Sequence, residues 1–136
     1  MKNAIPEGYK TNSGLDPAED YVGPFYFLQQ EQGFACAFLP EAKNCNLNGD
    51  VHGGVLVTFA DFALCVAATD NYSEESCTSI SFNCEFVAAG RNGELIECVP
   101  VITRKTGSMV FVTGTLVSAG ETLMTFSSVV KRLRPR

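Results

Sequence analysis

The pattern of apolar and polar residues changes its period about halfway along the chain. Residues 54–69 are apolar on nearly every side of a helix, which is typical of a helix buried in a core. From Ser79 to Phe86 polar and apolar residues alternate instead, as they do in a strand with one buried face. The pattern predicts one long buried helix, beginning at His52-Gly53-Gly54, followed by an antiparallel sheet.

Short strands are predicted on both sides of this helix, with glycine-containing turns between them. They are expected at residues 25–30, 34–39, 79–86, 95–103, 109–117 and 122–130. Pro100 indicates an edge or a bulge within one of them, because proline has no N–H to donate to a sheet. The last strands are apolar on both faces, so a second subunit is expected to cover their outer face.

One helix against one antiparallel sheet is an α+β architecture. A helix that is apolar all round must be wrapped, so we expect a curled sheet of roughly five to six strands around it, the shape known as the hotdog fold. Residues 21–136 are expected to form this single domain, and residues 1–20 an irregular N-terminal arm. Within the arm, Asp16 and Pro17 are typical of the cap and first position of a short helical turn over residues 16–20.

Composition favours a small globular protein of the cytoplasm. The 136 residues are 46% hydrophobic and 18% charged, which is enough apolar material for a core. No apolar run approaches the roughly 20 residues that span a bilayer, and the polar N-terminus lacks the apolar segment of a secretory signal. The net charge of −5 is unfavourable for nucleic-acid binding. The six cysteines and one histidine show no metal-ligand spacing, so reduced thiols are expected, with no metal and no cofactor.

Asp61 interrupts the middle of the apolar helix. Buried, unpaired aspartates are rare because the charged form loses its hydration. An aspartate at this position therefore requires a structural or a functional explanation. At helical spacing its neighbours are Gly54, Thr58 and Cys65, a thin stripe of small or polar residues that would line a slot. A catalytic carboxylate fits this position, and so does an ordinary helix residue bonded to solvent or to backbone.

The His52-Gly53-Gly54 segment opens the same helix. Unpaired N–H groups at a helix start bind anions, and two glycines allow a ligand to approach the backbone closely. A carbonyl group at this position would gain negative charge when attacked and would meet donors already aimed at it, as in an oxyanion hole. A tight turn before the helix would explain the same glycines.

Asn46, His52-Gly53-Gly54 and Asp61 together form an ordered string over residues 46–61. The string resembles the signature of the hotdog thioesterases of the phenylacetate-degradation type, which is an asparagine, a glycine-containing spacer, His-Gly-Gly, an apolar stretch and an acidic residue. The resemblance extends over about residues 30–133 and is strongest at residues 46–70, whereas residues 1–20 have no assigned counterpart.

This resemblance implies an acyl-CoA thioesterase that hydrolyses an aryl- or medium-chain acyl-CoA to the free acid and CoA. Asp61 would be the nucleophile or the general base that directs water, and the Gly53 N–H would polarise the thioester carbonyl. Asn46 would hold the attacking water or the carbonyl. His52 would bond near the thioester sulfur or orient the loop.

The resemblance also implies a fifth site residue and a partner. Ser79 matches a serine that assists catalysis, although simple alternation places it on the face opposite Ile80 and Phe82. In this family the pocket lies between two subunits, with Asp61 of one chain facing Asn46 and His52 of the other. A homodimer is therefore expected, or a dimer of dimers.

Coenzyme A carries several phosphates, so an acidic protein needs a local basic patch to bind it. The turn at residues 103–108 resembles the segment that lies along the pantetheine and phosphates in this family. The candidate substrate-binding residues are Arg104, Lys105, Gly107 and Ser108 of this turn and Gly54 and Thr58 of the helix. A solvated hairpin turn would carry the same charges.

Three other functions are compatible with this fold. An acyl-thioester dehydratase or hydratase usually carries a His-Phe-Pro or an Asp-x-Asn-Pro-x-His loop, and the sequence contains neither. A non-catalytic module that binds acyl-CoA and a structural dimerisation domain both gain nothing from a buried charge at Asp61.

Overall fold

The structure is a computed structural model that describes residues 3–135. Its helices are α1 (Pro17–Val22) and α2 (Gly53–Thr69), with a short 3-10 turn at Ala42–Asn44. Its strands are β1 (Phe25–Gln29), β2 (Phe34–Phe38), β3 (Ser76–Phe86), β4 (Ile96–Cys98), β5 (Val101–Lys105), β6 (Met109–Ser118) and β7 (Glu121–Leu133). The predicted long helix and the predicted strand regions are confirmed. Within the described residues, no helix is both long and apolar enough to cross a membrane.

The strands form one antiparallel sheet in the order β1-β2-β4-β6-β7-β3, with β5 paired to β6. Within the part of the chain that the structure describes, the sheet has seven strands, whereas five to six were expected. The extra strand arises because the predicted strand at 95–103 is divided into β4 and β5 at Val99-Pro100. Pro100 cannot donate a hydrogen bond to a ladder, so the chain changes its pairing there. Before the division β4 pairs with β2 and β6, and after it β5 pairs with β6.

The sheet curls around α2. The helix packs against β1, β2, β3, β5, β6 and β7, and its second half, from Phe62 to Thr69, is buried throughout. Phenylalanine rings fill the space on one side of the helix, with centroids 4.9 Å apart for Phe25 and Phe38 and 5.6 Å apart for Phe38 and Phe59. This arrangement is the hotdog fold that the sequence predicts, because an all-apolar helix is stable only when it is enclosed.

Parts of the N-terminal segment pack against this domain. Lys10 bridges to β1, and the carboxylate of Asp16 caps α1 by accepting a 3.0 Å hydrogen bond from the Glu19 N–H. The predicted helical turn is confirmed, and it continues to Val22. The Asn44 side chain donates to the Val22 carbonyl at 2.8 Å, which ties the end of α1 to the 3-10 turn.

Gly114 of β6 lies directly against the ring of Phe126 in β7. A Cβ at Gly114 would lie 2.5 Å from Phe126 Cζ, and that ring is buried and stacked on Phe82 at 5.6 Å. Gly114→Ala is therefore expected to lower the free energy of unfolding by about 1–3 kcal/mol, as overpacking of a core does. Urea denaturation would measure the change.

Gly107→Ala is the matched control for this substitution. No atom lies within 4 Å of a Cβ built at Gly107, so the free energy of unfolding should change by less than about 0.5 kcal/mol. An equal loss of stability in both variants would contradict the packing explanation.

Candidate active site

Asp61 is half-buried on α2, where the residues that follow it are fully buried. Its Oδ1 accepts a 2.6 Å hydrogen bond from Ser79 Oγ and lies 3.9 Å from the thiol of Cys65. Thr58 lies on the same side, but its hydroxyl donates to the Gly54 carbonyl at 2.9 Å and so bonds the helix backbone. No donor among the described residues reaches Asp61 Oδ2. One carboxylate oxygen is thus anchored, and the other can meet a ligand.

A β-bulge in β3 turns Ser79 toward α2. Ser79 pairs with Val130 of β7 and Ser81 pairs with Val129, so Ile80 is an extra residue without a partner of its own. Such an insertion moves the side chains before it to the other face of the sheet. Ser79 therefore shares the inner face with the buried Val130, and its hydroxyl reaches the helix carboxylate. Simple alternation places Ser79 on the face opposite Phe82, and this expectation was wrong, because Ser79 and Phe82 pair with the buried Val130 and Ser128 on the same face.

The start of α2 leaves one backbone donor available. His52 is the N-cap, and its Nδ1 accepts a 3.1 Å hydrogen bond from the Gly54 N–H. The N–H groups of Val55 and Leu56 both bond to the His52 carbonyl. The Gly53 N–H has no acceptor among the described residues. It is therefore the group at this helix start that can stabilise a negative charge.

An apolar cavity of about 310 Å³ adjoins Gly53. Its lining residues are Val51, Gly53, Leu56, Phe86, Val87, Ala88 and Ala89. A Cβ at Gly53 would lie only 3.1 Å from the ring of Phe86, so glycine allows this ring to lie against the helix start. The cavity brings an apolar surface next to an available N–H group.

Asn46 holds the loop that precedes the helix. Its Oδ1 accepts hydrogen bonds from the N–H groups of Asn48 at 2.9 Å and Asp50 at 3.2 Å, and its own N–H bonds the Asp50 carbonyl. The His52 N–H bonds the Asn44 carbonyl across the same loop. These bonds place Asn46 and His52 at one end of α2, with Gly53.

Asp61 and Gly53 lie at different levels of one helix. They are eight residues apart in the sequence. At 1.5 Å per residue this separation is about 12 Å along the axis, whereas a carbonyl bond is about 1.2 Å long. One chain therefore cannot bring its own Gly53 N–H and its own Asp61 carboxylate to the same carbonyl group.

The basic turn between β5 and β6 contains two kinds of cation. Lys105 Nζ donates to the Ala68 carbonyl at 3.0 Å and lies 3.6 Å from Glu75 Oε2, so it links the end of α2 to an acidic side chain. Glu75 also receives two hydrogen bonds from Arg132, at 2.9 and 3.0 Å, which hold the pKa of Glu75 below its usual value. The exposed residues of this turn include Arg104, Gly107 and Ser108. No described acidic side chain pairs with Arg104.

The charge of Asp61 acts on Glu19, Tyr72 and Cys77, three residues that the sequence pattern did not indicate. Burial, followed by the charges of Asp16 and Asp61, raises the pKa of Glu19 to about 7. Burial likewise raises the pKa of Tyr72 above its usual value. The surroundings of Asp61 therefore include side chains from α1, from β3 and from the loop after α2.

Comparison with known proteins identifies the family. Residues 48–132 match the sequence model of the Thioesterase superfamily. A protein of Pseudomonas aeruginosa named "Putative esterase PA0474" is 30% identical over 131 residues, which cover 95% of this chain and 97% of the relative.

Two solved structures share the fold. The PaaI protein of Escherichia coli, from the phenylacetic acid degradation operon, has a TM-score of 0.78 at 16% identity, over 88% of this chain and 86% of its own. Zebrafish thioesterase superfamily member 2 has a TM-score of 0.75 at 22% identity, over 88% of each chain. With the hotdog fold and the sequence match over more than half of its length, this chain belongs to the thioesterase superfamily.

Proposed function

We propose that this protein hydrolyses an acyl-CoA thioester to the free acid and coenzyme A. The observation that carries the proposal is the carboxylate of Asp61, which Ser79 holds at 2.6 Å on an otherwise apolar helix. Burying a charge costs free energy, so a carboxylate with one anchored and one available oxygen suits attack on a carbonyl better than packing. The 30% identity to a relative named as an esterase supports hydrolysis.

The proposed site is completed by a second copy of the chain. Because Asp61 and Gly53 of one helix lie about 12 Å apart, the oxyanion donor for Asp61 is the Gly53 N–H of the partner subunit. Within the described residues β3 is paired only with β7, so its other edge is open along residues 76–86. Antiparallel pairing of two β3 edges would make a two-fold dimer and satisfy the N–H and C=O groups of this edge.

A further association of dimers requires another apolar surface. Exposed apolar side chains on and between the strands include Val99, Val101, Phe111 and Val117. They provide a surface on which two dimers can pair into a tetramer.

In the general-base route, Asp61 removes a proton from water as the water oxygen bonds to the thioester carbon. Negative charge moves onto the carbonyl oxygen, where the Gly53 N–H of the partner subunit stabilises it. The C–S bond then breaks, and the proton held by Asp61 passes to the departing sulfur. In the nucleophilic route, Asp61 itself bonds to the carbon, the thiolate leaves, and water hydrolyses the resulting anhydride.

Asn46 and His52 lie with Gly53 at the start of α2, so in the proposed dimer they would face the partner's Asp61. Asn46 Oδ1 is occupied by loop N–H groups, so its Nδ2 is the atom that can donate to the water or to the carbonyl. His52 Nδ1 accepts from the Gly54 N–H, which leaves Nε2 as the N–H that can bond near the thioester sulfur. The same contact fixes the helix start that carries Gly53.

The surroundings of Gly53 favour an apolar acyl group. The adjoining cavity of about 310 Å³ is lined by aliphatic side chains and by Phe86, whose side chain is 58% exposed in the single chain. Aryl and medium-chain acyl groups would bury this surface. At the other end of the substrate, Arg104 is the exposed cation that can contact the phosphates of CoA, since Lys105 is bonded to Ala68 and Glu75.

Substitution of Asp61 and Ser79 tests the proposed chemistry. Asp61→Asn keeps the shape and the Ser79 contact but removes the charge, so kcat/KM for aryl- and medium-chain acyl-CoA should fall by about 10²–10⁴-fold. Ser79→Ala loses one hydrogen bond to a charged group, so kcat/KM should fall by about 10- to 100-fold. A thiol-release assay measures both rates.

Ser81→Ala is the matched control for Ser79→Ala, because Ser81 lies on the same strand across the bulge. Its activity should equal that of the wild type. If the wild-type protein releases no thiol from any acyl-CoA in a broad panel, the proposed function is wrong. Full activity in Asp61→Asn would overturn only the assignment of the site.

The two cations of the basic turn should respond differently to substitution. Arg104→Ala should raise the KM for acyl-CoA severalfold with little change in kcat, because a phosphate contact is made equally in ground and transition states. Lys105→Ala should instead lower the free energy of unfolding by about 1 kcal/mol, because it leaves the Ala68 carbonyl and Glu75 with fewer partners.

An acyl-pantetheine thioester, which lacks the nucleotide, provides the control substrate. Its KM should be insensitive to Arg104→Ala. An equal rise in KM for both substrates would show that Arg104 acts elsewhere than on the phosphates.

A further inference from the structure

The N-terminal helix α1 turns a glutamate toward the body of the protein. Asp16, Glu19 and Val22 recur at a spacing of three and are half-buried, whereas the other α1 residues are exposed. Val22 packs against the hydrophobic core, and Glu19 lines a narrow crevice with Phe25 of β1 and Phe62 of α2. A glutamate in such an inward position is unusual unless it has a partner or a function.

Three carboxylates act on Glu19: Asp16 and Asp20 at α1, and Asp61 on α2, the helix against which α1 packs. Glu19 in turn acts on two thiols and a phenol, namely Cys65 on α2, Tyr72 after α2 and Cys77 on β3. Within residues 3–135, no hydrogen-bond donor and no cation contacts the Glu19 carboxyl. No neighbour therefore neutralises the charge of Glu19. The charges of Glu19 and Asp61 act on the same three side chains.

Burial is the main reason that the pKa of Glu19 is raised to about 7, and the charges of Asp16, Asp61 and Asp20 add to it. Two carboxylates that share a poorly solvated region resist ionising together. Glu19 therefore gains or loses its charge close to neutral pH.

We propose that Glu19 is a positioning residue of the active site, so that α1 is a functional part of that site and its carboxyl acts on Asp61. The inference rests on the proposed thioester hydrolysis. During attack, negative charge leaves Asp61 for a carbonyl oxygen that the partner subunit stabilises. An ionised Glu19 repels the fully charged Asp61 of the reactant state more strongly than the partly discharged Asp61 of the transition state. The repulsion therefore lowers the barrier and speeds the reaction.

The pH profile of kcat/KM tests this effect. In the wild type, kcat/KM should rise as the pH passes through about 7, and the step should be on the order of fivefold, as expected for a single charge interaction near the surface. Glu19→Gln should lose this step and keep the low-pH rate. Glu31→Gln, at an exposed turn, and Cys77→Ser, which removes a nearby thiol whose pKa is lowered by a hydrogen bond with Cys65, should both retain it.

A stability measurement tests the same coupling without activity. The folded-state pKa of Glu19 is raised from 4.5 to about 7, so its contribution to stability is complete below about pH 4.5 and is lost as the pH rises through about 7. Glutamine stays neutral throughout. The free energy of unfolding of Glu19→Gln, relative to wild type, should therefore increase between about pH 5 and about pH 8.

This increase should be smaller when Asp61→Asn is also present, because one of the charges that raise the Glu19 pKa is gone. An increase of the same size with and without Asp61, or an unchanged pH profile in Glu19→Gln, would overturn the inference. A different outcome is that the wild type releases no thiol, while the increase in the free energy of unfolding still depends on Asp61. That outcome would contradict only the proposed function.

Discussion

The hydrogen bond from Ser79 to Asp61 joins the edge strand of the sheet to the helix that the sheet encloses. Burial of α2 is what organises the fold, because an all-apolar helix can be stable only inside a wrapped sheet. The same burial makes a carboxylate on that helix costly, and the serine offsets part of the cost at one oxygen. The enclosing sheet thus fixes both the position of Asp61 and the direction in which its second oxygen can act.

Much of this arrangement can be predicted from local patterns. The apolar run at 54–69 predicts α2, and period-two alternation predicts the strand that ends at Phe86. Pro100 predicts an interruption of the strand at 95–103, and in the structure the chain forms two strands, β4 and β5, on either side of it. The spacing of His52-Gly53-Gly54 and Asp61 fixes their order on one helix. From that spacing alone it follows that Gly53 and Asp61 lie about 12 Å apart along the axis, since helix rise per residue is constant.

Other features depend on contacts between distant residues and leave no local signal. The bulge at Ile80 arises from pairing with β7, so alternation within β3 could not reveal it. Lys105 looks like a surface cation in the sequence, and only the folded chain brings it to Ala68. Glu19 lies in a helix of six residues, which is too short for its inward spacing to stand out from an irregular arm.

In the proposed dimer two chains build each site, with Asp61 from one and Asn46 and Gly53 from the other. Asn46→Asp keeps the oxygen that bonds the loop but replaces the donor. Asp61→Asn and Asn46→Asp homodimers should each be inactive, whereas a mixed dimer regains one intact site. Randomly mixed subunits should therefore recover about a quarter of the wild-type rate of thiol release. A mixture no more active than its two components would contradict a shared site.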